Sequence, residues 1–94
     1  MKRVVSDNER EEKIDLKDID YNHILVLIHD NRNYYRLSYS LGGKYIWGSI
    51  QNYGNWNGYH FSIKVAVESV LGREDCKVYA FESLKEFGEF LLTT

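Results

Sequence analysis

The stretch YHFSIKVAVESVLG, residues 59–72, decides the fold because it can be read in two ways. As a strand, Tyr59, Phe61, Ile63, Val65 and Val67 alternate with His60, Ser62, Lys64 and Ala66. As a helix, Ile63, Ala66, Val67, Val70 and Leu71 fall on one face. The strand period fails after residue 68, whereas the helical period runs on to residue 71. Ser62 also stands where an N-cap is needed and Gly72 where a helix stops. The punctuation favours a helix over 62–71. Its β-branched valines make it a poor helix in isolation, so it must be held by packing.

Upstream, NYGNWNGYH at 52–60 mixes turn-formers with large rings in a chain without a single proline. Asn52, Gly54, Asn55, Asn57 and Gly58 supply unusual backbone angles. The stretch therefore reads as a connector, pinned by Tyr53, Trp56 and Tyr59, that leaves a sheet and crosses over it. Before it, HILVLIH at 23–29 is continuously apolar, as a central strand buried on both faces would be. DNRN at 30–33 is turn chemistry, YYRLSYSL at 34–41 and KYIWGSIQ at 44–51 alternate, and Gly42 and Gly43 between them signal a hairpin. Downstream, CKVYAF at 76–81 is a strand. SLKEFGEFLL at 83–92 is a helix, with Ser83 and Glu86 at capping-box spacing.

The expected fold class is α+β. It is a two-layer sandwich with a three-stranded antiparallel meander, a crossover helix, a fourth strand and a C-terminal helix, in the order β-β-β-α-β-α. A right-handed crossover would lay strand 76–81 beside and parallel to strand 23–29, so the sheet would run third, second, first, fourth. IDLKDID at 14–20 is compatible with a short edge strand or a helical turn. Residues 1–13, polar and charged, read as a mobile arm before a single domain over 14–94.

A two-residue Gly42-Gly43 loop would oppose Tyr39 to Ile46, Leu37 to Gly48 and Tyr35 to Ile50. Directly opposed residues project to one face. One face would then carry Tyr35, Leu37, Tyr39, Leu41, Ile46 and Ile50. The other would carry Tyr34, Arg36, Tyr45 and Trp47 among serines. Tyr34, Arg36, Tyr45 and Trp47, bordered by Trp56, are the candidate binding residues: basic, aromatic and free of acids. The competing reading makes this face core, covered by Phe87, Phe90 and Leu91 of the last helix.

The net charge of −2 hides a segregation. Residues 31–67 carry Arg32, Arg36, Lys44 and Lys64, no acid, and nine of the fourteen aromatics; the flanks are acidic. A pI of about 5.9 argues against general nucleic-acid binding, yet the middle leaves room for a basic aromatic patch. The single cysteine, Cys76, excludes an internal disulfide and a multi-cysteine zinc site. His23 and His29 lie about 20 Å apart on one strand, too far to share an ion. No catalytic, cofactor or metal site is expected. The longest apolar run, ILVLI, is too short to span a bilayer. Together these features lead us to expect a small non-catalytic cytoplasmic protein that acts by contact with a larger protein. An inhibitor, immunity or regulatory protein of bacterial or phage type fits. The acidic stretch at 7–20 would steer it toward a basic partner such as a nuclease. The alternative is nucleic-acid or nucleotide binding through the aromatic sheet face. Whether copies of the chain associate with one another is left open.

Overall fold

The computed structural model describes residues 2–4, 13–14, 16–20, 22–52 and 54–93. Most of the arm expected over 1–13, and Tyr53 of the expected connector, lie outside the described residues. The described residues form an α+β domain with one seven-stranded sheet and two helices. The strands are β1 (Lys2–Val4), β2 (Lys13–Ile14), β3 (Ile24–His29), β4 (Asn33–Tyr39), β5 (Tyr45–Ser49), β6 (Asn55–His60) and β7 (Cys76–Phe81). The helices are α1 (Ile63–Leu71) and α2 (Leu84–Thr93), and a 3-10 turn spans Leu16–Asp18. The sheet order is β2-β1-β7-β3-β4-β5-β6, antiparallel except for the short β1–β2 pairing.

Both helices begin where the sequence marks them. Ser62 accepts a hydrogen bond from the Val65 amide at 3.2 Å, and Ser83 accepts one from the Glu86 amide at 3.1 Å. Each satisfies an amide that the helix itself leaves unpaired. β3 is buried on both faces, as its unbroken apolar run requires, and the helices divide the work. Leu25 and Leu27 face α1, packing with Ala66, Val67 and Val70. Ile24 and Val26 face α2, packing with Phe81 and Phe87. The sheet therefore carries one helix on each side, rather than forming the two-layer sandwich expected.

Two further expectations are corrected. Residues 55–60 are a fourth meander strand, not a connector, so the ambiguous stretch at 59–72 holds a strand end and a helix joined by Phe61 and Ser62. The extra strand changes the parity of the chain. Three strands would have sent the crossover back parallel to β3. Four send it back antiparallel, and β7 pairs antiparallel with β3. The neighbour was foreseen and the direction was not.

The hairpin register is also one residue off the expected one. Tyr39 opposes Tyr45, Leu37 opposes Trp47 and Tyr35 opposes Ser49. The loop is longer than two residues. Ser40 N–H donates to Lys44 O at 2.7 Å, Gly43 N–H donates to Ser40 O at 3.1 Å, and only Gly43 of the two glycines takes a positive φ, 75°. This is a three-residue loop closed by a left-handed glycine. A one-residue slip moves every side chain of one strand to the opposite face. The two glycines should thus differ on substitution. Gly43→Ala should cost about 1–2 kcal/mol, the steric penalty of a side chain in left-handed backbone. Gly42→Ala, with no atom near the added carbon, should be close to neutral. Urea midpoints of the two variants measure this, and equal losses would return the two-residue loop.

Candidate functional site

The slip decides the fate of the five candidate residues. Trp47 turns inward beneath α1, is fully buried, and donates its indole N–H to the Ala66 carbonyl at 3.3 Å. Tyr45 and Trp56 lie on the same side of the sheet as Trp47, being opposed to Tyr39 and Trp47 or paired beside them. Tyr34 and Arg36 face the other way. Tyr34 meets the Phe90 ring edge-on at 6.0 Å, and the Arg36 guanidinium lies 5.2 Å from the Phe87 ring. The structure brings Trp47 and Trp56 together as cross-strand neighbours but gathers no single surface from all five. The covering helix over Trp47 is α1, not the C-terminal helix.

Two other groupings emerge, one at each end of the sheet. The first is apolar and lies where the hairpin tip meets the end of β6. Tyr39, Leu41, Tyr59 and Phe61 are all more than three-fifths exposed. Tyr39 lies on the face of Tyr45, their rings 5.1 Å apart, whereas Tyr59 opposes Ile46 on the other face, and Phe61 lies beside Lys44, whose Nζ is 5.1 Å from its ring. A shallow groove of about 420 Å³ separates Leu41 and Lys44 from Tyr59. Beside it a half-open cleft of about 720 Å³ is lined by Arg36, Leu37, Tyr39, Tyr45, Ile63 and Leu84, among others. Leu41 and Tyr59 across one groove, with Tyr39 and Phe61 exposed at the same end of the sheet, exceed the isolated apolar residues found on any surface. Tyr59 was expected to anchor a connector; instead it stands out from an edge strand.

The second grouping is polar. Arg73 forks onto Asp75, with Nε 3.0 Å from Oδ1 and Nη2 2.9 Å from Oδ2. His29 Nε2 lies 3.0 Å from Asp75 Oδ2. Trp56 walls the cluster, its ring 5.3 Å from that of His29 and 5.1 Å from the Arg73 guanidinium. Trp56 is thus the ring that does anchor β6. The Arg73 fork, aided by hydrogen bonds from Cys76 and His29 and opposed by desolvation, holds the Asp75 carboxyl well below the usual carboxylate range. Burial, with Asp75 alongside, pushes the Cys76 thiol up to about 11, so it stays protonated at neutral pH and is a poor nucleophile.

Neither grouping was legible as such. His29 and Asp75 are 46 residues apart, and only the antiparallel β3–β7 pairing, which opposes His29 to Cys76, joins them. The alternation of Tyr59 and Phe61 was visible, but the surrounding glycines and asparagines read as a turn. No protein-family model matches the chain, and no curated protein or solved structure matches it either. Among the described residues, no helix is long and apolar enough to cross a membrane.

Two outcomes follow. Trp47→Ala should cost about 3–5 kcal/mol, the range for truncating a buried tryptophan, and should bring the domain to the verge of unfolding in a chemical denaturation series. Asp75 gives a pH signature. A carboxyl with a depressed folded pKa stabilises the fold above its unfolded pKa, about 3.9, and loses that contribution as the pH falls toward the folded value. The stability gap between the wild type and Asp75→Asn should be full at pH 6 and shrink below pH 4. A gap independent of pH would mean that the Arg73–Asp75–His29 pairing contributes nothing.

Proposed function

We propose that this is a non-catalytic binding protein that docks on a larger protein through the hairpin tip and the end of β6. The observation that carries this reading is the cluster of Tyr39, Leu41, Tyr59 and Phe61, exposed together on one end of the sheet. Aromatic anchors dominate the energetics of protein interfaces. The cleft beside them suits a protruding partner side chain, with the Arg36 guanidinium at its wall. The four exposed side chains belong to the segment 31–67, which has four cations and no carboxylate, while Glu82 adds a carboxylate to the cleft wall, so the complementary partner face is apolar with a mainly acidic rim. Regulation or inhibition by occupancy is the mode of action that needs nothing beyond this contact. A reducing compartment such as the cytoplasm suits the free thiol of Cys76, and a bacterial or phage origin suits the composition.

The second reading, a nucleotide, is favoured by one observation. The cleft has the volume of a small-molecule site and holds Arg36 beside two tyrosine rings, with Glu82 also in its wall. Stacking on Trp47 does not support it, because that ring is fully buried.

Leu41→Ser, Tyr59→Ser and Phe61→Ser should each leave the fold within about 0.5 kcal/mol of the wild type, as surface changes do. At least one should weaken the partner by about 30-fold, the scale of an interface hot spot. Photo-crosslinking from position 41 in the native host, followed by titration of the captured protein, is the measurement. Partner affinity unchanged in all three variants would sink the reading. Nucleotide binding abolished by Arg36→Gln would favour the second.

A further inference from the structure

We infer that His29, Asp75 and Cys76 form a binding site for a divalent transition-metal ion of the zinc class, completed by Asp30 on the adjoining turn. The nitrogen of His29, a carboxylate oxygen of Asp75 and the sulfur of Cys76 lie within 4.8 Å of one another. His29 Nε2 also lies 3.5 Å from Asp30 Oδ2. One imidazole nitrogen, Nε2, thus faces two carboxylates, which is more acceptor capacity than a single N–H can serve.

The frame around these groups is built rather than accidental. Cys76 is directly opposed to His29 across the β3–β7 ladder, so backbone pairing fixes their separation. Asp30 N–H donates to Asp75 O at 2.8 Å, which ties the β3–β4 turn to the segment entering β7. Asp30 and Asn31 hold positive φ, 54° and 59°, the conformation that turns the chain sharply after His29. The His29 ring is held by Trp56, and Arg73 orients the Asp75 carboxylate from outside. Such outer groups set ligand geometry in metal sites.

The donor chemistry selects the ion. A thiolate and an imidazole prefer zinc, cobalt and their neighbours, whereas magnesium and calcium take oxygen alone. With Zn–N near 2.0–2.1 Å and Zn–S near 2.3 Å, a tetrahedral set stands about 3.3–3.7 Å apart, so the widest pair among His29, Asp75 and Cys76 needs to close by about 1 Å, and Asp30 has to swing in from its contact with His29. Binding takes the proton from Cys76 and releases it to solvent. The ion coordinates Asp75 Oδ2 beside the Arg73 fork, whose positive charge opposes it. His29 and Asp75 are partly exposed, leaving the ion a way in from solvent.

Cobalt(II) reports on such a site directly. Titrated into the wild-type protein, it should bind one ion per chain, develop the intense near-ultraviolet absorption of a thiolate–cobalt bond, and quench Trp56, whose ring adjoins His29. Cys76→Ala should abolish the thiolate absorption, and His29→Gln should weaken binding by about 100-fold or more, at least the upper end of what outer-shell losses cost. Arg73→Gln should tighten it by relieving the opposing charge. Zinc should displace the cobalt and raise the thermal midpoint of the wild type but not of Cys76→Ala. No thiolate absorption in the folded wild type at millimolar cobalt overturns the assignment without recourse to any variant. So does binding that persists undiminished in both His29→Gln and Cys76→Ala, which would place the ion elsewhere. The protein contact surface lies at the other end of the sheet, so either conclusion can fail alone.

Discussion

The loop at 41–43 is the constraint on which the rest of this domain depends. A left-handed Gly43 closes a three-residue turn, and that extra residue sets the face on which every side chain of β5 lies. It sends Trp47 under α1 and Ile46 to the other side. Trp47 is the largest fully buried side chain of the domain, and it bonds to the Ala66 carbonyl inside α1. A helix rich in valine has little intrinsic stability. The indole beneath it gives α1 both apolar surface to cover and a fixed point along its length. The same register leaves Arg36 opposite Gly48, where no side chain crowds its path toward the Phe87 ring.

The second determinant is the parity of the meander. Because β6 adds a fourth strand before the crossover, β7 runs antiparallel to β3 and its first residues lie beside the last residues of β3. In the parallel arrangement, Cys76 would have begun at the Ile24 end, a whole strand length from His29. The polar cluster therefore exists because of β6. Trp56, also from β6, then seals it. One strand supplies the topology that gathers the cluster and the ring that walls it.

Much of this was legible residue by residue. The helices were, because Ser62, Gly72 and Ser83 punctuate them and their apolar spacing is sustained. The double burial of β3 was, because of its unbroken run ILVLI, but the expected two-layer sandwich did not carry that through to a helix on each face. The order of β5, β4, β3 and β7 was as well. The register was not, because Gly42 and Gly43 satisfy a two-residue and a three-residue loop equally, and nothing local distinguishes them. β6 was not, because its asparagines and glycines are strand-poor and only cross-strand packing against β5 makes them extended. The shared face of the candidate residues went with the register: Tyr34 and Arg36 were placed with Tyr45 and Trp47 by a pairing one residue out.

β6 also explains how the exposed aromatics are presented. A register shift between Ile46 and Trp47 accommodates two extra residues in β6, with Gly58 at φ 72°. Without the shift that they take up, continuing the Trp47–Trp56 pairing would place Tyr59 opposite Lys44, at the base of the hairpin loop. With them, Tyr59 is opposite Ile46 and His60 opposite Tyr45, so Phe61 arrives beside Lys44 and α1 starts at the sheet rather than beyond it. Bulges of this kind twist an edge and blunt its capacity to pair with another strand. The edge is therefore poor at adding a strand but good at displaying side chains. A partner docked as proposed would meet rings and a lysine, and would draw its specificity from the shape of the groove between Leu41 and Tyr59 rather than from backbone pairing.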